Sequence, residues 1–435
     1  MRSGEPGVAR PPWWARAWRR YGPALVRTAV VVLAAVAALW LAYQTWRFFW
    51  QPLRLGSMFV HPGAVDLTFR IAEIREWFAG RPVYLGSYLA VYPPASYALL
   101  WPLVGWMEEA WVAVALWTAT EALALGWLSS FAVRESGARR SRERWLLALL
   151  PLSMYATGAT LGNGQVTIHV MAALLAGIGL LERGRVSWAR DLLAAALFLF
   201  ALVKPSVAAP FFWIVLFLPG RWRPALLVVA GYAGLTLLAA AFQEGGLPSL
   251  VNQWLARSTS TAGNRYLVTI AAGPTTVAAA VGLREFATPV SLLVLAAAGA
   301  WLYRHRRGDL WLRLAVTAIL ARLWTFHLWY DDLLFLLPMI ALFRLLRQAA
   351  GGPPTLRVLT AGVLLALLVA SNLAPGGLYS LPPPWRLVYV FVQSGVWLAV
   401  LAFLVREAAL ARRRTAASGS TPAPGDSGAS GADVR

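Results

Sequence analysis

No cysteine occurs in the 435-residue chain, which excludes a disulfide framework and a thiolate metal site. Lysine is almost as scarce: Lys204 is the only one among 39 basic residues. Only 19 carboxylates oppose them, and the four histidines, His61, His169, His305 and His327, show no paired ligand spacing. Charged residues make up 13% of the chain, against roughly 25% in soluble domains. Neither a soluble catalytic domain nor a short-period repeat is visible. Arg10, Arg16, Arg19, Arg20 and Arg27 precede a long apolar run with no small-residue cleavage site after it, so the first apolar segment is expected to be a retained span.

What the chain has is hydrophobic length. Of its residues 59% are hydrophobic, more than a water-soluble core can absorb. Runs near the roughly 20 residues that cross a bilayer recur, as at Val26 to Trp46, Trp111 to Val133 and Val166 to Leu181. The expected fold is therefore all-α, a polytopic transmembrane helical bundle of about 12 spans. Candidate segments lie at about 24–49, 93–107, 110–133, 145–160, 165–182, 190–204, 206–219, 224–242, 266–283, 286–303, 311–326, 333–348, 356–373 and 386–405. They divide the chain into a basic cytoplasmic N-terminus (1–23), a transmembrane domain (24–405) with a first outer loop at 50–92, and a Ser/Gly/Pro/Ala-rich cytoplasmic tail (406–435) of disordered composition.

A net charge of +20 suggests a nucleic-acid binder, but the arginines are scattered through short inter-span loops and form no single basic face, so no nucleic acid is expected. The positive-inside rule accounts for them. It puts Arg134 to Arg144, Glu182 to Arg190, Gly220 to Arg223 and Tyr303 to Arg307 in the cytoplasm. The 50–92 loop, the Gly162 to Gln165 turn, Lys204 to Ser206, Gln243 to Tyr266, His327 to Asp332 and Ala374 to Trp385 fall on the outer face of a bacterial plasma membrane. One stretch breaks the alternation. Two crossings between 93 and 133 would carry Arg134 to Arg144 outside, so either 93–107 is re-entrant or that basic loop is an exception.

Candidates for chemistry gather on the outer side. Asp66 opens a segment, Asp66 to Trp77, with apolar Leu67, Ile71 and Ile74 at helical spacing and Arg70, Glu73, Arg75 and Glu76 opposite, which predicts an amphipathic interfacial helix. Asp66 is either its N-cap or a general base for an acceptor hydroxyl at the membrane surface. His327 to Asp332, HLWYDD, places a histidine, Tyr330, Asp331 and Asp332 at a helix start, where either aspartate could be a solvated cap. Neighbouring aspartates do not share a helix face, and no metal is expected. Lys204, Arg265 and Arg322 lie near the same interface, where they either snorkel or bind a lipid phosphate. Asn163 and Gln165 sit in a turn suited to sugar hydroxyls, with Tyr92 a further contact. Glu121 stands alone within a span, as a functional group or as a partner for an Arg or Trp in the bundle.

The order of these pieces resembles glycosyltransferase family 87: Asp66 with its amphipathic helix and Gly80-Arg81-Pro82-Val83-Tyr84, then Tyr92-Pro93-Pro94, then Gly164-Gln165 opening an apolar helix, then Lys204-Pro205. The resemblance runs from about residue 60 to 350. It implies a C-type, metal-independent, inverting transferase that takes a sugar, mannose in that family, from a polyprenyl-phosphate donor to a lipid or glycan acceptor at the outer leaflet. It also implies that Asp66 is the catalytic base and that His327 binds donor phosphate or sugar. Lys204, Arg265 and Arg322 would then hold the phosphate, and Tyr92, Asn163, Gln165, Tyr330 and Asp331 the sugar or acceptor. No cofactor is called for. Membrane lipids are the other expected partners. The competing classes are a transporter or lipid flippase without chemistry, and a C-type transferase using a different lipid-linked pentose or hexose.

Overall fold

The computed structural model describes residues 13–50, 53–55, 58–60, 64–86, 90–183, 186–262, 282–283, 286–349 and 355–418. The segment expected at 266–283, the tail beyond 418 and two of the named candidates, Arg265 and His61, lie outside the described residues. Apart from a ladder pairing Leu53–Leu55 with Met58–Val60, the described elements are helical.

α1 (Trp13–Trp50) is followed by α2 (Val65–Phe78), the short α3 (Pro94–Leu100) with a π turn at Trp101–Gly105, and α4 (Ala110–Glu135). α5 (Ser141–Ser153), α6 (Tyr155–Asn163), α7 (Thr167–Arg183), α8 (Trp188–Ala201), α9 (Pro205–Leu216), α10 (Arg223–Ala240) and α11 (Gly246–Ala262) follow. Beyond them come α12 (Ala287–Arg304), α13 (Leu310–Leu323), a 3-10 turn at Trp329–Phe335, α14 (Leu336–Gln348), α15 (Leu356–Asn372), α16 (Gly377–Ser380) and α17 (Pro383–Ser418).

Among the described residues four helices are long and apolar enough to cross a bilayer, at Ala24–Trp50, Trp111–Glu135, Arg223–Ala240 and Pro384–Arg414, and a fifth crossing arises if α6 and α7, bent by 116°, count as one. About twelve spans were expected, several of them short for full crossings. The apolar runs are present, but they are cut. Met154 is extended between α5 and α6, Gly164 turns the chain between α6 and α7, and Pro205 opens α9 directly after Lys204. The pieces of 12 to 17 residues reach only about 18–26 Å at 1.5 Å per residue. Breaks of this kind are tolerated in a membrane protein where the freed backbone is enclosed by protein.

The 93–107 segment is twelve helical residues split between α3 and the π turn, too short to cross, which favours the re-entrant reading. The basic loops agree. Arg183 pairs with Glu135, Arg347 with Glu143 (3.0 Å), Arg313 with Glu182 (2.7 Å) and Arg221 with Asp191 (2.8 Å), so the 134–144, 182–190 and 220–223 stretches meet at one end of the bundle. α7 and α8 run between that end and the opposite one, where Thr167 and Lys204 lie.

α2 is fixed to this opposite end by one of its aromatic residues. Trp77 is fully buried, stacks on Tyr97 at 4.5 Å between centroids and donates its indole N–H to the Ala239 carbonyl (2.9 Å). Leu67, Ile71 and Ile74 are buried as the spacing predicts, but Glu73, expected on the polar face, is buried too. An inward carboxylate needs a partner, and Arg70, one turn earlier, supplies it.

Candidate active site

Three breaks in the helices bring the polar residues together. The first is the start of α2. Its N-cap is Ala64 with no side-chain cap, so Asp66 lies in the first turn and does not cap. Gln165 instead hydrogen-bonds its carboxylate. Burial pushes the Asp66 carboxyl above its ordinary range, against the pull of Gln165, Arg70, Lys204 and Arg47.

The second break is the turn that presents Gln165. Gly164 ends α6 in the left-handed region (φ +69°), and a Cβ there would stand 2.7 Å from that of Leu67. The close approach of turn and α2 needs glycine for both reasons. Asn163, beside it, accepts a hydrogen bond from the Arg47 guanidinium on α1.

The third is Leu328 to Phe335. Asp331 and Asp332, expected at a solvated helix start, are 2% and 0% exposed and cap nothing. They turn in different directions. Asp331 Oδ1 accepts from Lys204 Nζ (2.5 Å) and Thr167 Oγ1 (2.9 Å), while Oδ2 faces His327 Nδ1 at 2.8 Å. Burial opposes its ionisation, but Lys204 and His327 more than offset that and hold Asp331 below the usual carboxylate range. Asp332 takes Arg322 and the Tyr155 hydroxyl, and Gln393 donates to that hydroxyl (2.9 Å). Lys204 Nζ also sits over the Tyr330 ring, 4.2 Å from its centroid.

Lys204 and Arg322, read in the sequence as cations awaiting an anion, thus each hold a buried aspartate. His327 is the group left open. With Nδ1 on Asp331, its buried Nε2 has no partner among the described residues.

Most of the candidates form one cluster. The charges of Asp66 and Asp331 both reach the hydroxyls of Tyr92 and Tyr330, and Lys204 acts on Asp66 as well as on Asp331. Arg70 was not singled out in the sequence. It lies over the Tyr92 ring (4.6 Å) and pairs with Glu73, which Tyr97 also reaches (3.3 Å). Its spacing of four from Asp66 was the available signal. Thr167, two residues after Gln165, was not taken as a site residue in the sequence. Glu121 stays apart: it is buried on α4, and neither carboxylate oxygen has a partner among the described residues, so the Arg or Trp expected to meet it is absent there.

Among the described residues no three His, Asp or Glu side chains converge as a metal site. A confined cluster remains, with one partly exposed carboxylate of raised pKa, a buried lysine and imidazole around a second carboxylate, an open imidazole nitrogen and several amides and phenols. Such a set suits displacement at a polar, hydroxyl-rich substrate carrying an anionic leaving group. The family model for glycosyltransferase family 87 matches residues 88–326. No curated protein and no solved structure matches the chain.

Proposed function

Since the chain belongs to glycosyltransferase family 87 and is a membrane glycosyltransferase, we propose that it transfers a hexose, mannose by preference, from a polyprenyl-phosphate donor to a lipid-linked or glycan acceptor, with inversion. The observation that carries this reading is that Asp66 lies within electrostatic reach of Lys204, which with His327 holds Asp331, in one small cluster.

The acceptor oxygen attacks the anomeric carbon as the C1–O bond to phosphate breaks. The acceptor proton passes to Asp66, and the bonding electron pair leaves with the polyprenyl phosphate. A base with a raised pKa accepts that proton more readily than an ordinary carboxylate. The phosphate gains charge as it leaves. Lys204 is set to receive it, with Arg322 adding positive charge from behind Asp332. Burial pushes the His327 imidazole below its ordinary pKa, so its Nε2 donates only once the arriving phosphate charge draws a proton onto the ring. Arg265 belongs to the same proposal from sequence alone.

Asp331 is better suited to orient Lys204 and His327 than to touch sugar, because both of its oxygens are engaged. Sugar contacts fall to Tyr92, Asn163, Gln165 and Tyr330. The lipid donor brings its own leaving group, so the reaction has no need of a soluble nucleotide pocket. The arginine-rich loops at the opposite end of the bundle support a site that faces the outer side.

The test is transfer from radiolabelled polyprenyl-phosphate-mannose by wild type and Asp66→Asn at equal expression. Loss of general-base catalysis predicts a fall of about 10²–10⁴-fold with donor binding retained. Equal transfer by both proteins would remove Asp66 from the chemistry. No transfer by wild type from this or other polyprenyl sugars would end the donor assignment.

A further inference from the structure

The last turns of α1 bring two polar side chains to the turn that carries Asn163 and Gln165, and the chemistry above leaves both unused. Gln44 is fully buried, and neither its carbonyl oxygen nor its amide nitrogen has a partner among the described residues. Arg47, one turn further on, binds Asn163 through a terminal nitrogen while its Nε is likewise unpartnered. Both lie over Gly162. A Cβ at that position would stand 2.0 Å from Gln44 Oε1 and 3.0 Å from Arg47 Nε, so the glycine is what lets the amide in.

The same end of α1 continues to Phe48, which touches the space beside Gly164. Gly164 in turn abuts Leu67 of α2, and Gln165 holds Asp66. Arg47 and Asp66 are close enough for the guanidinium to act on the carboxyl. Gln44, Arg47, Asn163, Gln165 and Asp66 therefore follow one another around a single turn.

We propose that Gln44 and Arg47 form a subsite for sugar hydroxyls next to Asp66, and this rests on the transferase reading above. The donor and acceptor inventory selects the ligand. A primary amide presents an acceptor and two donors, a guanidinium donors only, and the Asn163 amide both. A phosphate diester or an isoprenyl chain offers no proton, so either would leave Gln44 Oε1 unmet. A hydroxyl both gives and accepts. Vicinal hydroxyls on a pyranose match the Gln44 amide together with the unpartnered Arg47 Nε, and a buried amide left without partners in the empty protein gains them when sugar binds. The ring belongs either to the donor or to the acceptor.

Gln44→Met separates binding from packing, since it keeps the length of the side chain and removes both polar atoms. Purified full-length protein is assayed with polyprenyl-phosphate-mannose and a synthetic alkyl mannoside, and its unliganded melting temperature is recorded. The subsite predicts a KM raised about tenfold for one of the two substrates, kcat within about threefold, and a melting temperature equal to or above that of wild type. A change in donor KM assigns the subsite to the transferred sugar, and a change in mannoside KM assigns it to the acceptor. Arg47→Gln, on the partly exposed side, raises the KM for the same substrate and serves if the methionine variant folds poorly. An active wild type whose two KM values are unaltered in both variants overturns the subsite. An inactive wild type overturns the underlying reading, and the subsite with it.

Discussion

At the scale of single residues, Glu73 couples the site to pH. Burial raises its carboxyl from the ordinary 4.5 to about 7, even with Arg70 beside it. Between those values the folded chain binds more protons than the unfolded one, so this group favours folding below about 4.5 and loses that contribution as pH rises through about 7. Wild type in detergent is therefore expected to melt at a lower temperature at pH 8 than at pH 5. Glu73→Gln, which fixes the group in its neutral shape, should flatten that slope. Parallel melting curves for the two proteins across this range would rule out Glu73 as the source. Asp66, four residues from Arg70, is raised by the same burial, but Gln165 and the surrounding cations pull against it, which suits a residue that must be ionised to act.

At the scale of elements, the site depends on helices that stop. Gly164 is the tightest of these stops, with a left-handed backbone and Leu67 against it. Gly164→Ala adds a methyl group that must displace α2 at the turn that positions Asp66. A loss of about 1–3 kcal/mol is expected from the strained φ and the overlap together. Transfer should fall further than stability does, because Gln165 and Asp66 move apart. Thermal unfolding and turnover measured on the same preparation check this, and full activity with unchanged stability would mean that the turn yields without disturbing α2. Gly137, also at positive φ but with open space around it, is the control for left-handed strain without a neighbour.

At the scale of the whole molecule, the bundle has a basic end tied by ion pairs and a site end built from helix breaks. The absence of cysteine makes sidedness directly measurable. Arg140, exposed at the basic end, and Glu244, exposed just beyond α10 at the site end, are suitable positions for single cysteines. In intact cells an impermeant maleimide should label Glu244→Cys, while Arg140→Cys should require permeabilisation. Labelling in the reverse order would turn the site towards the cytoplasm and rule out transfer at the outer leaflet.

The amino-acid sequence alone determined the class of the protein and most of its helix positions. Hydrophobic length is a local property, readable wherever lipid is the solvent, and the apolar runs at 110–133, 224–242 and 356–373 became helices within a few residues of where they were expected. The order Asp66, Gly164-Gln165, Lys204-Pro205 was legible for the same reason: each element is a short local signal for a turn or a polar interruption. What each charge does there was decided only by tertiary structure. Whether Asp331 is solvated or holds Lys204 and His327, and whether Glu73 faces out or pairs inward with Arg70, depends on which helix lies opposite. Composition cannot specify a partner more than a hundred residues away. The same holds for Arg47 and Gln44, whose place beside Asn163 comes from α1 packing against α6, and for the 93–107 segment, whose helical length of twelve residues emerged only in the structure.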